Sequence, residues 1–175
     1  DMRDSDLWKF YLRAIPVIEK AAGEGNAPAQ YNLGIACLEG LGMKRDYRKA
    51  AEWFLKSAEQ GDTRAQFRLG RMNLQGRGVA RDESRALQWF LKAARGGHPA
   101  AQSYLGAMYV RGIGVEKNAH EAGRWLKAAA QQGEPEAQVD FAIMHMLGLG
   151  GLPESPENAA HWLMQAAHKG HPFAQ

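Results

Sequence analysis

The sequence predicts an all-α fold, a row of paired helices, and three regularities predict it. The pair Ala-Gln recurs at Ala29-Gln30, Ala65-Gln66, Ala101-Gln102, Ala137-Gln138 and Ala174-Gln175, at spacings of 36, 36, 36 and 37 residues. A Gly-x-Gly follows in phase at Gly40/Gly42, Gly76/Gly78, Gly112/Gly114 and Gly148/Gly150. A tryptophan comes next, at Trp53, Trp89, Trp125 and Trp162. Fixed-period self-similarity of this kind marks a solenoid, where no repeat can bury its apolar stripe alone and stability comes from stacking on neighbours.

At the N-terminus, residues 1–28 read as a cap: a helix over 5–23 whose Val17, Lys20, Ala21 and Ala22 match the end of a second helix. Pro16 is expected to kink that helix or split it in two. The repeats then run over 29–64, 65–100, 101–136 and 137–173, with 174–175 opening a truncated fifth.

Each repeat reads as two helices. The first starts near the Ala-Gln pair and runs about 12 residues to the Gly-x-Gly, where glycine lets the backbone leave through positive φ. The second begins at Asp46, Asp82, Asn118 and Ser155, all good N-cap residues. Asn118 with Glu121 resembles a capping box, and Ser155-Pro156 puts proline at the first helical position. In the second repeat Ala86, Trp89, Phe90, Ala93 and Ala94 form one apolar stripe at helical spacing. Gly61, Gly97, Gly133 and Gly170 end these helices, and Pro99, Pro135 and Pro172 open the next repeat. Gly34, Gly70 and Gly106, with Ala142 in the fourth repeat, let neighbouring helices approach closely. The tryptophans are expected to fill the larger gaps, each Trp→Ala change costing about 3–5 kcal/mol.

The run Ala65-Gln66, Leu69-Gly70, Gly76, Gly78-Val79, Asp82, Ala86, Trp89, Lys92-Ala93-Ala94 and Gly97 resembles the Sel-1-like repeat, a relative of the tetratricopeptide repeat. Residues 29–173 carry the pattern four times, departing from it at Ala142, Gly151, Ala128 and Gln165. The resemblance implies a right-handed α-α superhelix with first helices lining the concave side and second helices outside. It also implies a non-enzymatic adaptor for protein complexes, in bacteria often in the periplasm or cell envelope. Some bacterial members are immunity proteins that inhibit a secreted effector enzyme, which is the alternative role. A homotypic assembler using the open C-terminal edge is another. The disulfide-stapled branch pairs cysteines within each repeat, and this chain has only Cys37.

Composition narrows the chemistry. With 45% hydrophobic and 23% charged residues, the 175-residue chain has the make-up of an ordinary globular protein. No apolar run approaches the roughly 18–20 residues of a membrane helix. A lone cysteine makes neither an internal disulfide nor a cysteine zinc cage. His161, His168 and His171 are spaced too widely for one metal ion, Met72, Met108 and Met144 fall on a core phase, and His145 shares a packing position with Cys37, Asn73 and Tyr109. No nucleophile, phosphate-binding or dinucleotide motif is present, so no catalytic residue, metal or cofactor is assigned. The net charge of +3 is weak. Lys44-Arg45, Arg48-Lys49, Arg77, Arg81 and Arg85 alternate with Asp46, Glu52, Asp82 and Glu83, which reads as a solvated rim and not as a nucleic-acid track.

The repeats themselves locate a variable face. Counting each first helix from its alanine as zero, positions 0, 1, 4 and 5 stay nearly constant while 2, 3, 6 and 10 vary, and at about 100° per residue those four share one arc. The arc holds Tyr31, Asn32, Ile35 and Glu39; Phe67, Arg68, Arg71 and Gln75; Ser103, Tyr104, Ala107 and Arg111; Val139, Asp140, Ile143 and Leu147. Tyrosine and arginine dominate protein–protein hot spots, and arginine grips carboxylates in a fork. The expected partner is therefore a protein segment or loop of acidic and apolar character, held by Tyr31, Asn32, Glu39, Phe67, Arg68, Arg71, Gln75, Tyr104, Arg111 and Asp140.

Overall fold

The computed structural model describes residues 6–169. Among them are nine α-helices: α1 (Asp6–Gly23), α2 (Ala27–Glu39), α3 (Tyr47–Glu59), α4 (Thr63–Gln75), α5 (Glu83–Arg95), α6 (Pro99–Arg111), α7 (Ala119–Gln131), α8 (Pro135–Met146) and α9 (Pro156–His168). No described residue is in a strand. The chain divides into two compact units, Asp1–Trp89 and Phe90–Gln175, with the division inside α5. Gly170, His171, Pro172 and the Ala174-Gln175 pair lie outside the described residues. No helix of the described residues is long and apolar enough to cross a membrane.

One expectation about helix limits needs correction: Pro16 does not split the first helix in two. α1 is a single helix of 18 residues with Pro16 inside it. Pro16 is exposed, and on a solvent-facing side the carbonyl that proline leaves unpaired can turn to water, so the helix continues. The first helices begin two residues before the Ala-Gln alanines. Their N-caps are Asn26, Asp62, His98 and Glu134. Asn26, Asp62 and His98 each accept the backbone N–H of the alanine, at 2.9, 3.3 and 3.2 Å. Pro99 and Pro135 are the first residues of their helices and open their repeats as expected, because proline's missing N–H costs nothing in the first turn.

The second helices are capped where the sequence places them. Asp46 accepts the N–H groups of Arg48 and Lys49, Asp82 that of Arg85, Asn118 that of Glu121 and Ser155 that of Asn158. Each cap is also tied to the first helix of its own repeat. The backbone N–H groups of Asp46, Asp82, Asn118 and Ser155 donate to the carbonyls of Cys37, Asn73, Tyr109 and His145, at 2.8–3.0 Å. The extra residue of the fourth repeat leaves this tie intact. It is absorbed in a 3-10 turn, Leu149–Gly151, flanked and filled by the positive φ of Gly148, Gly150 and Gly151.

The Ala-Gln glutamines close each helix pair onto the helix before it. The side-chain amides of Gln30, Gln66, Gln102 and Gln138 are buried and donate to the carbonyls of Ala22, Ala58, Ala94 and Ala130, every one at 3.1 Å. These are carbonyls in the last turn of a helix, each of which also accepts the N–H of the glycine three residues on, from Gly25, Gly61, Gly97 and Gly133. Gln60 and Gln132 then donate to the Oε1 atoms of Gln30 and Gln102 at 2.8 Å. In the fourth repeat Lys169 turns instead to the Gly133 carbonyl, and the buried Oε1 of Gln138 has no partner.

The tryptophans are not the deepest side chains. Trp53, Trp89, Trp125 and Trp162 are half-buried, whereas the residues after the first three, Phe54, Phe90 and Leu126, are fully buried. An indole beside a smaller ring on one stripe is pushed to its margin, where it covers the core instead of filling it. In the first unit Phe54, Leu69, Met72 and Cys37 form the centre, with Trp53 and Trp89 against them. In the second, Leu126, Phe141 and Met144 form a centre covered by Trp162 and Leu152. Met72, Met108 and Met144 are all core residues.

Candidate functional site

The variable arc can be followed helix by helix. On α2, Tyr31 and Ile35 are half-buried while Asn32 and Glu39 are exposed; on α4, Phe67, Arg68 and Arg71 are half-buried and Gln75 is exposed. On α6, Tyr104 and Arg111 are exposed, Ala107 is half-buried and Ser103 is buried. On α8, Val139 and Asp140 are half-buried, and Ile143 and Leu147 are exposed. Positions 0, 1, 4 and 5 are consumed by packing: Leu33-Gly34, Leu69-Gly70, Leu105-Gly106 and Phe141-Ala142 are all buried.

Several arc residues are held in place. The ring of Tyr31 packs at a tilt on Phe54, 5.7 Å between centroids, and carries the Arg64 guanidinium 4.3 Å above it. Arg64 is in turn gripped by Asp62, with Nη2 2.7 Å from Oδ2. Burial pushes the Asp62 carboxyl upward, but the Arg64 hydrogen bond and charge, with the amides of Ala65 and Arg64, outweigh it and hold the group below its ordinary range. In the second unit, the Tyr104 ring lies 5.2 Å from that of Phe90. Both tyrosines are thus rigid aromatic anchors whose rings are fixed from the core side.

The structure gathers four predicted residues into one place. Glu39, Arg68, Arg71 and Gln75 line a cavity of about 160 Å³ together with Leu38, Arg45, Tyr47, Met72 and Arg77. Arg45 and Arg77 belong to the loops between helices and were read in the sequence as part of a solvated rim. Their signal was their place, just before the Asp46 cap and between Gly76 and Gly78, where a tight loop returns toward its own first helix. Apolar exposure also extends past the arc, to Val110 and Met146.

The histidines do different things. His145 is buried with its ring edge-on to Phe141 at 4.9 Å, and its Nδ1 is unpartnered. His161 is exposed and packs on Trp162, and His168 is exposed in the last turn of α9. Among the described residues no group of three His, Cys, Asp or Glu could hold a metal ion.

Comparison with known proteins agrees with the repeat count. The family model described as Sel1 repeat matches residues 27–62, 63–98, 99–134 and 135–171. A protective antigen present in uropathogenic Escherichia coli strains is 35% identical, with a TM-score of 0.89 over 94% of this chain and 35% of that one. A Sel1 repeat protein from Oxalobacter formigenes is 31% identical, with a TM-score of 0.85 over 93% of this chain and 64% of that one. The chain therefore spans about a third of the first relative and under two thirds of the second. An immunity protein from Pseudomonas aeruginosa shares the fold at 21% identity and a TM-score of 0.62, over 98% of this chain and 62% of that one. No curated relative matches by sequence. Four matched repeats spanning residues 27–171 place the chain in the Sel1 repeat family, all-α solenoid proteins that are in general non-enzymatic scaffolds for protein–protein interaction, and the relatives above are bacterial.

Proposed function

We propose that the chain is a scaffold that holds a protein partner against the variable faces of its first helices. The partner lies on Tyr31, Asn32, Glu39, Phe67, Arg68, Arg71 and Gln75 in the first unit and on Tyr104, Arg111 and Asp140 in the second. The observation that carries this reading is the division of labour along each first helix. The constant positions, the half-buried Ala29 apart, are buried, and the varying ones, Ser103 apart, keep exposed surface. That surface includes aromatic rings fixed from behind and arginines, the residue types whose rigid area and planar charge give most to binding.

The test is a pull-down from native lysate with the wild-type chain beside the triple variant Arg68→Glu/Arg71→Glu/Arg111→Glu, after circular dichroism shows that the variant folds. A protein retained by wild type and lost by the variant supports the reading. The same proteins retained by both would remove the first-helix faces as the binding site. Should the lost protein prove to be a toxic effector enzyme, the scaffold would be an immunity protein, and its co-expression should rescue growth.

A further inference from the structure

The cavity between α2, α4 and the two loops that follow them has an unusual lining for its size. Arg45, Arg68, Arg71 and Arg77 face about 160 Å³ of space with a single carboxylate, that of Glu39, among them. Among the described residues these four arginines form no salt bridge. The Nε–H of Arg71 is shielded from solvent and has no acceptor. The Arg71 guanidinium lies over the Phe67 ring at 5.9 Å, and Arg45 is drawn to the end of α2 by the Glu39 carbonyl at 3.5 Å. Leu38, Tyr47 and Met72 supply apolar walls.

Four guanidinium groups repel one another, and the repulsion falls only when an anion enters. Each presents planar donors that match a two-oxygen acceptor. The apolar walls favour an anion carried on a carbon chain over a bare, strongly hydrated one. We propose that this cavity binds a carboxylate side chain or terminus of an acidic segment of the protein partner, fixing the register of that segment on α2 and α4. The proposal rests on the reading of the first-helix faces as the partner site, and deepens it by naming the chemistry of one contact.

The experiment follows the arginine Nε–Hε signals of ¹⁵N-labelled protein at constant ionic strength. Glutarate, inorganic phosphate and neutral glutaramide are the titrants, and single Arg→Lys variants assign the signals. Glutarate should shift Arg68 and Arg71 saturably, leave Arg124 unmoved, and be matched by no response to glutaramide. Arg77→Gln, a change on an exposed loop, should weaken glutarate about tenfold, and Arg71→Gln at least as much. Glutarate shifts that fail to saturate, or that move Arg124 as far as Arg71, would overturn the site. Phosphate binding as tight as glutarate or tighter would overturn the carboxylate assignment. Saturable glutarate binding with no protein lost in the charge-reversal pull-down would sink the scaffold reading and keep the anion site. The converse would sink the anion site and keep the scaffold.

Discussion

Gly34 and Phe54 share one space: a β-carbon on Gly34 would stand 2.6 Å from Cε1 of the Phe54 ring. The second unit repeats the relationship with a different partner, since a β-carbon on Gly106 would come 2.5 Å from Cγ of Leu126. The glycines after Leu33 and Leu105 are therefore the seats for Phe54 and Leu126, the residues after Trp53 and Trp125. They let those side chains lie directly on the backbone of the facing helix.

Gly34→Ala should destabilise the protein by about 1–3 kcal/mol through overpacking, despite alanine's better helix propensity. Phe54→Ala, which empties the same seat, should cost about 3–5 kcal/mol. The half-buried Trp53 should tolerate the same truncation better than Phe54. Urea midpoints for the three variants give the order directly; Trp53→Ala as costly as Phe54→Ala would restore the tryptophan to the centre of the core.

The glutamine clasp carries a second prediction. Gln102→Leu keeps the volume but leaves the Ala94 carbonyl with only the Gly97 N–H and strips the Gln132 amide of its acceptor. The expected loss is about 1–3 kcal/mol. Hydrogen exchange should show the penalty as faster opening at the α5–α6 junction, with α2 and α3 unaffected.

Asp62 ties stability to acid. Its folded pKa lies below the ordinary 3.8, so its contribution is complete above that value and is lost as pH falls through the lower folded one. Wild type should exceed Asp62→Asn by about 1 kcal/mol near neutrality, from the partly exposed Arg64 pair and the charge at the helix N-terminus, since asparagine caps as well as aspartate. Thermal melts between neutrality and acid should see that gap close only below the aspartate range. A gap that stays constant in acid would mean that the carboxylate charge plays no part.

Cys37 is buried, with its Sγ 3.4 Å from the Met43 sulfur. Burial, and secondarily the Asp46 charge, push its thiol above the usual 9.0. Little thiolate exists near neutrality, so a disulfide reagent should react with the native chain far more slowly than with the urea-unfolded chain. Equal rates in the two states would contradict the buried geometry.

The parts legible in the sequence are those that repeat. Helix pairs, their second-helix caps and the leaving glycines follow from period and composition, because each copy meets the same physical demand. Pro16 does not split α1, because a proline's effect depends on which turn, and which side, of a helix it occupies. Periodicity finds the stripe shared by Trp53 and Phe54 but cannot rank two adjacent rings by depth. Gln30 stands on the constant side of its helix and Gln60 at the end of the next, and only the fold brings them together across 30 positions. Arg45 and Arg77 join Arg68 and Arg71 for the same reason: loop conformation decides where a loop charge points.

The central claim is that the first-helix faces hold the partner, and photo-crosslinking in cells tests it most directly. A benzophenone amino acid is placed at Asn32, Gln75 or Arg111 on first helices, and at Glu59 or Lys127 on second helices, all exposed positions. The account predicts one common protein crosslinked from the first set and not from the second. That protein captured from Glu59 and Lys127 but from none of the first-helix sites would contradict it.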